Sequence, residues 1–269
     1  MPNARIQNQP RPFNLHYERT GRGEPLLLIR GLGRSSRFWG RIFNDLGREF
    51  DVIAFDNRGI GRSQAPLSLY STATLARDCV GLLDALNLPR VHVFGMSLGG
   101  MIAQELALLH RDRVGRLILG CTTPGGLHAL RPPSDVAANM LRNATLPLEA
   151  RNRRIAEHIL SEDFIRQNPQ ILDQWLAWFQ QEPLRKRDLL RQLAAAASHD
   201  TWERLPHLKP ATLALTGDAD KLIPCQNSRL LAERIPDARA HFIKGAGHDF
   251  TTERPEEALE IIVDFLLRA

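Results

Sequence analysis

Short apolar runs recur along the chain, and segments with helical spacing of apolar residues separate them. Runs of this length, bounded by Gly, Asp or Pro, are typical of strands that are buried on both faces. An earlier segment, residues 13–19, alternates apolar and polar positions and turns at residues 20–23, as in a β-hairpin. The predicted buried strands are residues 26–29, 52–55, 91–94, 117–119, 211–216 and 240–243.

Helical patterns fill the gaps between these strands. Ser71 is a good N-cap for a predicted helix that runs to about Leu86. Residues 98–110 form a second predicted helix, and the last one begins at Pro255, a residue favoured in the first turn. Alternation of short buried strands with helices predicts an α/β fold, with a mostly parallel central sheet and helices on both faces.

One region interrupts the alternation. Residues 124–206 contain helical patterns and loops but no strand pattern, and prolines and glycines mark where the region begins. We therefore predict a core of residues 1–123 and 207–269 with an inserted helical cap at residues 124–206. Trp175, Trp178 and Phe179 lie three and four residues apart, so they share one helical face. This face either lines a substrate pocket or packs the cap on the core.

A serine stands between glycines where one predicted strand gives way to a helix. Residues 95–99 read Gly-Met-Ser-Leu-Gly, the G-x-S-x-G pattern of a nucleophile elbow. The turn requires small neighbours and directs the hydroxyl of Ser97 away from the sheet. The helix that begins at Leu98 has unpaired N–H groups beside this hydroxyl, and the Leu98 N–H can stabilise an oxyanion. A glycine-rich turn with an incidental serine would give the same five residues.

A serine hydroxyl needs a base, and one of the nine histidines is well placed to be it. His248 follows the last predicted strand in a glycine-containing loop. The preceding strand, residues 211–216, leads into Asp218 and Asp220. Asp220 is the preferred partner of the histidine, because its spacing to Pro224 fits a G-x-x-D-x-x-x-P turn, and Asp218 is the alternative.

These residues together resemble the α/β-hydrolase family over nearly the whole chain. The order Ser97, Asp220, His248 is that of the family. Residues 56–63 resemble its D-x-R-G-x-G-x-S loop, and residues 31–33 match its oxyanion loop. The resemblance implies that the Leu32 N–H joins that of Leu98 in the oxyanion hole. Arg30 departs from the pattern, since the family usually has histidine there.

The resemblance implies a serine esterase or lactonase without a metal or an organic cofactor. Similar sequences act as carboxylesterases, enol-lactonases and methyl esterases for carrier-bound acyl chains. The same triad also serves perhydrolases and C–C bond hydrolases, so the fold does not separate these activities. A small-molecule ester or lactone is the favoured substrate. The alternatives are an ester on an acyl carrier protein, which basic residues of the cap could contact, and a non-catalytic hydrolase-like binding protein.

Composition and charge argue against several other classes of function. The net charge of the 269 residues is +5, and there is no long basic block, which argues against nucleic-acid binding. Three scattered cysteines fit neither a disulfide framework nor a zinc site. Residues 31–36 begin like a G-x-G-x-x-G motif but end in serine, which argues against a nucleotide site. No secretory signal or membrane span is apparent, so we expect a cytoplasmic protein.

Overall fold

The computed structural model describes residues 2–9, 11–134, 136, 142, 146–182 and 184–268. An eight-stranded sheet forms its centre, with the strand order β1-β2-β4-β3-β5-β6-β7-β8. The pairs β1/β2 and β2/β4 are antiparallel and the remaining pairs are parallel. The strands are β1 Asn3–Ile6, β2 Phe13–Thr20, β3 Glu24–Ile29, β4 Phe50–Phe55, β5 Val91–Met96, β6 Val114–Gly120, β7 Thr212–Gly217 and β8 Ala238–Ile243.

Helices cover both faces of the sheet, which confirms the predicted fold class. Leu27 and Ile29 pack on one face, under α2 and α3, whereas Leu26 and Leu28 pack on the other, against α1 and α10. All four side chains are fully buried, and each burial stabilises the fold by about 1.5–3 kcal/mol. The helices are α1 Arg41–Leu46, α2 Thr72–Ala85, α3 Leu98–Leu109, α4 Leu148–Ile159, α5 Glu162–Gln167, α6 Gln170–Gln181, α7 Lys186–Ala197, α8 Gln226–Arg234, α9 Phe250–Glu253 and α10 Pro255–Leu267.

The predicted hairpin is wrong. Strand β2 pairs with β1 and β4, and β3 lies on the far side of β4. The link between β2 and β3 therefore crosses the start of β4. Gly21 has φ +82°, and a Cβ on it would lie 2.2 Å from the Phe50 carbonyl oxygen, so the link passes directly against this strand.

Helices α4 to α7 all lie between β6 and β7 in the chain, together with a 3₁₀ helix at Trp202–His207. The two ends of this connection meet, because Gly125 forms an isolated antiparallel bridge with Asp200 and the Thr201 N–H donates to the Pro124 carbonyl at 2.9 Å. We call residues 124–206 the helical insertion. Its division from the core at these limits stays a prediction, and residues 135, 137–141, 143–145 and 183 lie outside the described residues.

Among the residues that the structure describes, no helix is both long and apolar enough to cross a bilayer.

A close contact holds α3 against the end of β3. A Cβ on Gly99 would lie 1.9 Å from the Ile29 carbonyl oxygen, a backbone atom that no side-chain movement can relieve. We predict that Gly99→Ala costs on the order of 3 kcal/mol or more of unfolding free energy, or prevents folding, through overpacking. Gly245→Ala is the control, since open space surrounds it and only its φ of +70° is unfavourable, at about 1–2 kcal/mol. Urea denaturation measures both, and equal losses would contradict the packing argument.

Candidate active site

Ser97 lies at the junction of β5 and α3 in a conformation that side-chain-bearing residues rarely adopt. Its φ is +56° and its ψ is −121°. The Ser97 N–H donates to the Gly120 carbonyl at 2.8 Å, and its own carbonyl accepts the Gly100 N–H at 2.9 Å. Both neighbours of the turn must be small, because a Cβ on Gly95 would lie 2.2 Å from the Gly99 carbonyl oxygen. A strained conformation fixed by its surroundings in this way is a frequent mark of a functional site.

His248 and Asp220 form a buried pair. The His248 Nδ1 lies 2.7 Å from the Asp220 Oδ2, and the Asp220 side chain is inaccessible. The other carboxylate oxygen, Oδ1, accepts the N–H groups of Leu222 and Ile223 at 2.8 and 2.9 Å. The orientation of the carboxylate is thus fixed by backbone. This arrangement can hold the imidazole in the tautomer that leaves Nε2 free to accept a proton.

The structure separates the two aspartates that the sequence left as alternatives. The Asp218 Oδ1 accepts the Gly245 N–H at 2.6 Å, and the Asp218 side chain is exposed. It supports the loop that carries His248, whereas Asp220 contacts the imidazole itself.

Burial and the neighbouring charge have opposite effects on the pKa of His248. Burial alone would lower the pKa of the imidazole, but the facing Asp220 carboxylate and its hydrogen bond raise the pKa well above the usual value. Cys121 lies beside the ring, and burial raises the pKa of its thiol although the neighbouring His248 lowers it. Asp220 therefore stabilises the imidazolium that a proton transfer would create.

The amides of Leu32 and Leu98 are the two donors that the sequence predicts for the oxyanion hole. Within the described part of the chain, neither the Leu32 N–H nor the Leu98 N–H donates a hydrogen bond. The loop that carries Leu32 packs on the serine, because a Cβ on Gly31 would lie 3.0 Å from the Ser97 Cβ. These are the two amides predicted for the oxyanion hole, and their role stays a prediction.

Arg30, which stands where the resemblance leads one to expect histidine, has a partner that sequence reasoning missed. Its Nη2 lies 2.5 Å from the Asp249 Oδ2, and both side chains are almost fully buried. Its Nη1 donates to the Met96 sulfur at 3.1 Å. Burial alone would raise the pKa of Asp249, but the guanidinium groups of Arg30 and Arg34 hold it below its usual value. The pair joins the oxyanion loop to the residues that adjoin Ser97 and His248.

The loop at residues 56–63 supports the same region. The Asp56 carboxylate accepts the Ser36 N–H at 2.7 Å and the Arg62 N–H at 3.0 Å. A hydrogen bond from the Asn57 amide to the Arg30 carbonyl, at 3.1 Å, adds a second link. Both tie this loop to the segment that follows β3.

A cavity of about 230 Å³ opens above Ser97 and His248. Its wall is mostly apolar and comes largely from the helical insertion. Trp175, Trp178 and Phe179 all pack around Phe38, at ring-centroid distances of 6.0, 5.0 and 5.0 Å. Of the three, only Phe179 is also part of the cavity wall. The apolar part of the wall includes Leu32, Leu148, Ile155, Ile159, Phe179, Leu189, Leu193 and Leu222. The polar and charged lining residues include Arg30, Arg34, Ser97, Arg151, His248 and Asp249.

In the described part of the chain, no group of three or more His, Cys, Asp or Glu side chains is placed to hold a metal ion.

The chain is similar in sequence and in structure to known hydrolases. The chain is 32% identical over 262 residues to the putative carbamate hydrolase RutD of Yersinia enterocolitica, covering 94% of this chain and 92% of that one. It is 32% identical over 266 residues to a poly(3-hydroxyalkanoate) depolymerase of Ectopseudomonas oleovorans, covering 99% and 90%. The crystal structure of the enol-lactonase from Burkholderia xenovorans LB400 superposes with a TM-score of 0.87 at 26% identity, covering 99% and 100%. A family model described as the alpha/beta hydrolase fold matches residues 24–255, and the protein therefore belongs to the α/β-hydrolase family.

Proposed function

We propose that this protein is a serine hydrolase that cleaves a carboxylic ester or lactone through an acyl-enzyme. One observation carries the proposal: Ser97, on its strained turn, and His248 line the same apolar cavity, and the buried Asp220 holds His248 from behind. A nucleophile and a base are thus available to one bound molecule, and the base has an orienting carboxylate.

Acylation begins when the Ser97 Oγ attacks the substrate carbonyl and His248 Nε2 accepts the hydroxyl proton. Asp220 stabilises the resulting imidazolium through Nδ1–H. We expect the N–H groups of Leu32 and Leu98 to stabilise the negative charge on the carbonyl oxygen. His248 then returns the proton to the leaving alcohol, and Ser97 holds the acyl group.

Deacylation repeats these steps with water. His248 accepts a proton from the water as its oxygen attacks the acyl carbon, and the same amides stabilise the second oxyanion. Collapse of this intermediate releases the acid and returns the proton to Ser97. For a lactone, the alcohol and the acid belong to one product.

The cavity supports a small-molecule substrate. Its volume of about 230 Å³ and its apolar wall suit a compact acyl or alcohol group. The enol-lactonase, to which the chain is similar, is named for a lactone, which agrees with an ester or lactone here. The alternatives of a carrier-bound ester and of a non-catalytic binding protein gain no support from the names of the three relatives described above.

Removing the nucleophile tests the proposal directly. We expect Ser97→Ala to lower kcat for a 4-nitrophenyl ester by roughly 10⁴-fold or more, because the triad acts as a unit. A serine-directed phosphonate should label Ser97 and no other residue, as read by peptide mass spectrometry. Full activity of the variant, or a label elsewhere, would refute the serine-hydrolase mechanism.

The choice of acid has its own test. We expect Asp220→Asn to cost on the order of 10⁴-fold in kcat through loss of the correct histidine tautomer, and Asp218→Asn to cost far less. The opposite ranking would make Asp218 the acid.

The raised pKa of His248 gives a pH test of the same pair. Because Asp220 raises this pKa, replacing it must lower it, and the imidazole then becomes neutral at a lower pH. NMR titration of His248 in Ser97→Ala and in Ser97→Ala/Asp220→Asn should show the second transition at lower pH. An unchanged midpoint would mean that the carboxylate does not set the charge of the histidine.

The aromatic residues of α6 should divide by position. Phe179→Ala removes part of the cavity wall and enlarges the cavity. We therefore expect the preference for long or aromatic esters over acetates to change by about tenfold or more. Trp178→Ala removes packing on Phe38 and should lower the melting temperature while affecting all esters alike. Measuring KM across a chain-length series, with thermal unfolding, compares them. Selectivity that follows Trp178 would contradict this assignment.

A further inference from the structure

The guanidinium of Arg34 is buried in the cavity wall, and it forms no ion pair with the part of the chain that the structure describes. Only 7% of the residue is exposed, and within the described residues neither Nη1 nor Nη2 has a hydrogen-bond partner. Its central carbon lies 4.2 Å from the ring centroid of Phe38 and 4.1 Å from that of Trp175. Aromatic faces attract a cation, but they do not replace the oxygen acceptors that its N–H groups require.

The charges around the cavity do not balance. The described lining includes three arginines, Arg30, Arg34 and Arg151, and one carboxylate, that of Asp249. Asp249 is already engaged by Arg30 at 2.5 Å. Arg151 forms no ion pair with the described residues. The wall therefore presents uncompensated positive charge to whatever occupies the cavity.

A buried cation without an acceptor is unfavourable for folding. Burial lowers the pKa of Arg34 to about 9, and the more distant Asp249 offsets this only in part. The side chain is nonetheless charged at neutral pH. Such a group is retained at a cost in stability, which a bound anion would offset.

We propose that Arg34 binds a carboxylate of the substrate, so that the protein acts on esters or lactones that carry a free carboxylate. This inference rests on the proposed hydrolase function and specifies its substrate class. Arg34 follows Leu32 by two residues on the oxyanion loop, which places the recognised charge near the scissile carbonyl. Both Nη atoms are enclosed where the guanidinium lies on Phe38 and Trp175, so a carboxylate reaches them only when the guanidinium turns toward the cavity. In that position the carboxylate can accept two parallel N–H···O bonds. A singly charged group also suits this small, mostly apolar cavity better than a dianion.

Matched esters test the preference. The acid series is the mono-4-nitrophenyl esters of succinate, glutarate and adipate, and the neutral series is the 4-nitrophenyl esters of butanoate, pentanoate and hexanoate. After correction for alkaline hydrolysis rates, we expect wild-type kcat/KM to favour the best acid ester by roughly 10- to 100-fold, the range of a buried charged hydrogen bond. In Arg34→Met this ratio should fall to about one.

Two further variants keep the test decisive. Arg34→Lys retains the charge without the planar fork and should show an intermediate ratio. Arg153→Met removes an equal charge from the exposed side of α4, outside the cavity, and should keep the wild-type ratio. If Arg34→Met fails to fold, the Lys variant carries the comparison. A ratio that is unchanged in both Arg34 variants, or lowered equally by Arg153→Met, would overturn the proposal.

A binding measurement separates this inference from the hydrolase function. Isothermal titration of Ser97→Ala should give a Kd for hexanoate at least about tenfold lower than for hexanamide, and Ser97→Ala/Arg34→Met should lose the difference. Binding of hexanoate that depends on Arg34, in a protein that hydrolyses no ester, would refute the catalytic proposal alone. Ester hydrolysis without any preference for the carboxylate in either assay would refute the role of Arg34 alone.

Discussion

The site depends on the contact between the first turn of α3 and the end of β3. Only a residue without a side chain allows the Gly99 backbone to lie against the Ile29 carbonyl. This contact fixes where the helix begins, and so it fixes the turn that holds Ser97 at φ +56°. It also sets the free Leu98 amide opposite the loop that follows β3. One steric constraint thus positions Ser97 relative to the Leu98 amide and to the loop that follows β3.

Polar groups beneath the cavity are then matched in pairs. Asp220 faces His248, and Arg30 faces Asp249, the very next residue. In a region so thoroughly buried, each carboxylate would be unfavourable alone, and each is stabilised by its partner and by further hydrogen-bond donors. Because Arg30 also contacts Met96, the second pair connects β3, the elbow and the histidine loop. Placing arginine at position 30 therefore replaces a small imidazole by a longer side chain that reaches the histidine loop.

Sequence patterns predicted the structure correctly where residues close together in the chain determine it. The short apolar strands and the G-x-S-x-G turn are set by nearby residues, and the fold class that they predict is the observed one. Pairing partners are set by distant residues, which is why the hairpin at residues 20–23 was predicted wrongly. For the same reason nothing local pairs Arg30 with Asp249, 219 positions away. Helical spacing grouped Trp175, Trp178 and Phe179 on one face, and all three pack on Phe38, from a different part of the chain. Spacing does not show that, of the three, only Phe179 also lines the cavity.

The core and the insertion contribute different properties to the cavity. Groups that can perform chemistry lie at strand ends of the core, where the sheet holds them, whereas apolar wall residues come from α4, α6 and α7. Arg34 is part of the core in sequence, but its guanidinium packs on the insertion, against Trp175 and Phe179 of α6. Any shift of α6 relative to the sheet must therefore move or expose this guanidinium. The packing of Trp175 in this way determines where the charge of Arg34 lies in the cavity wall.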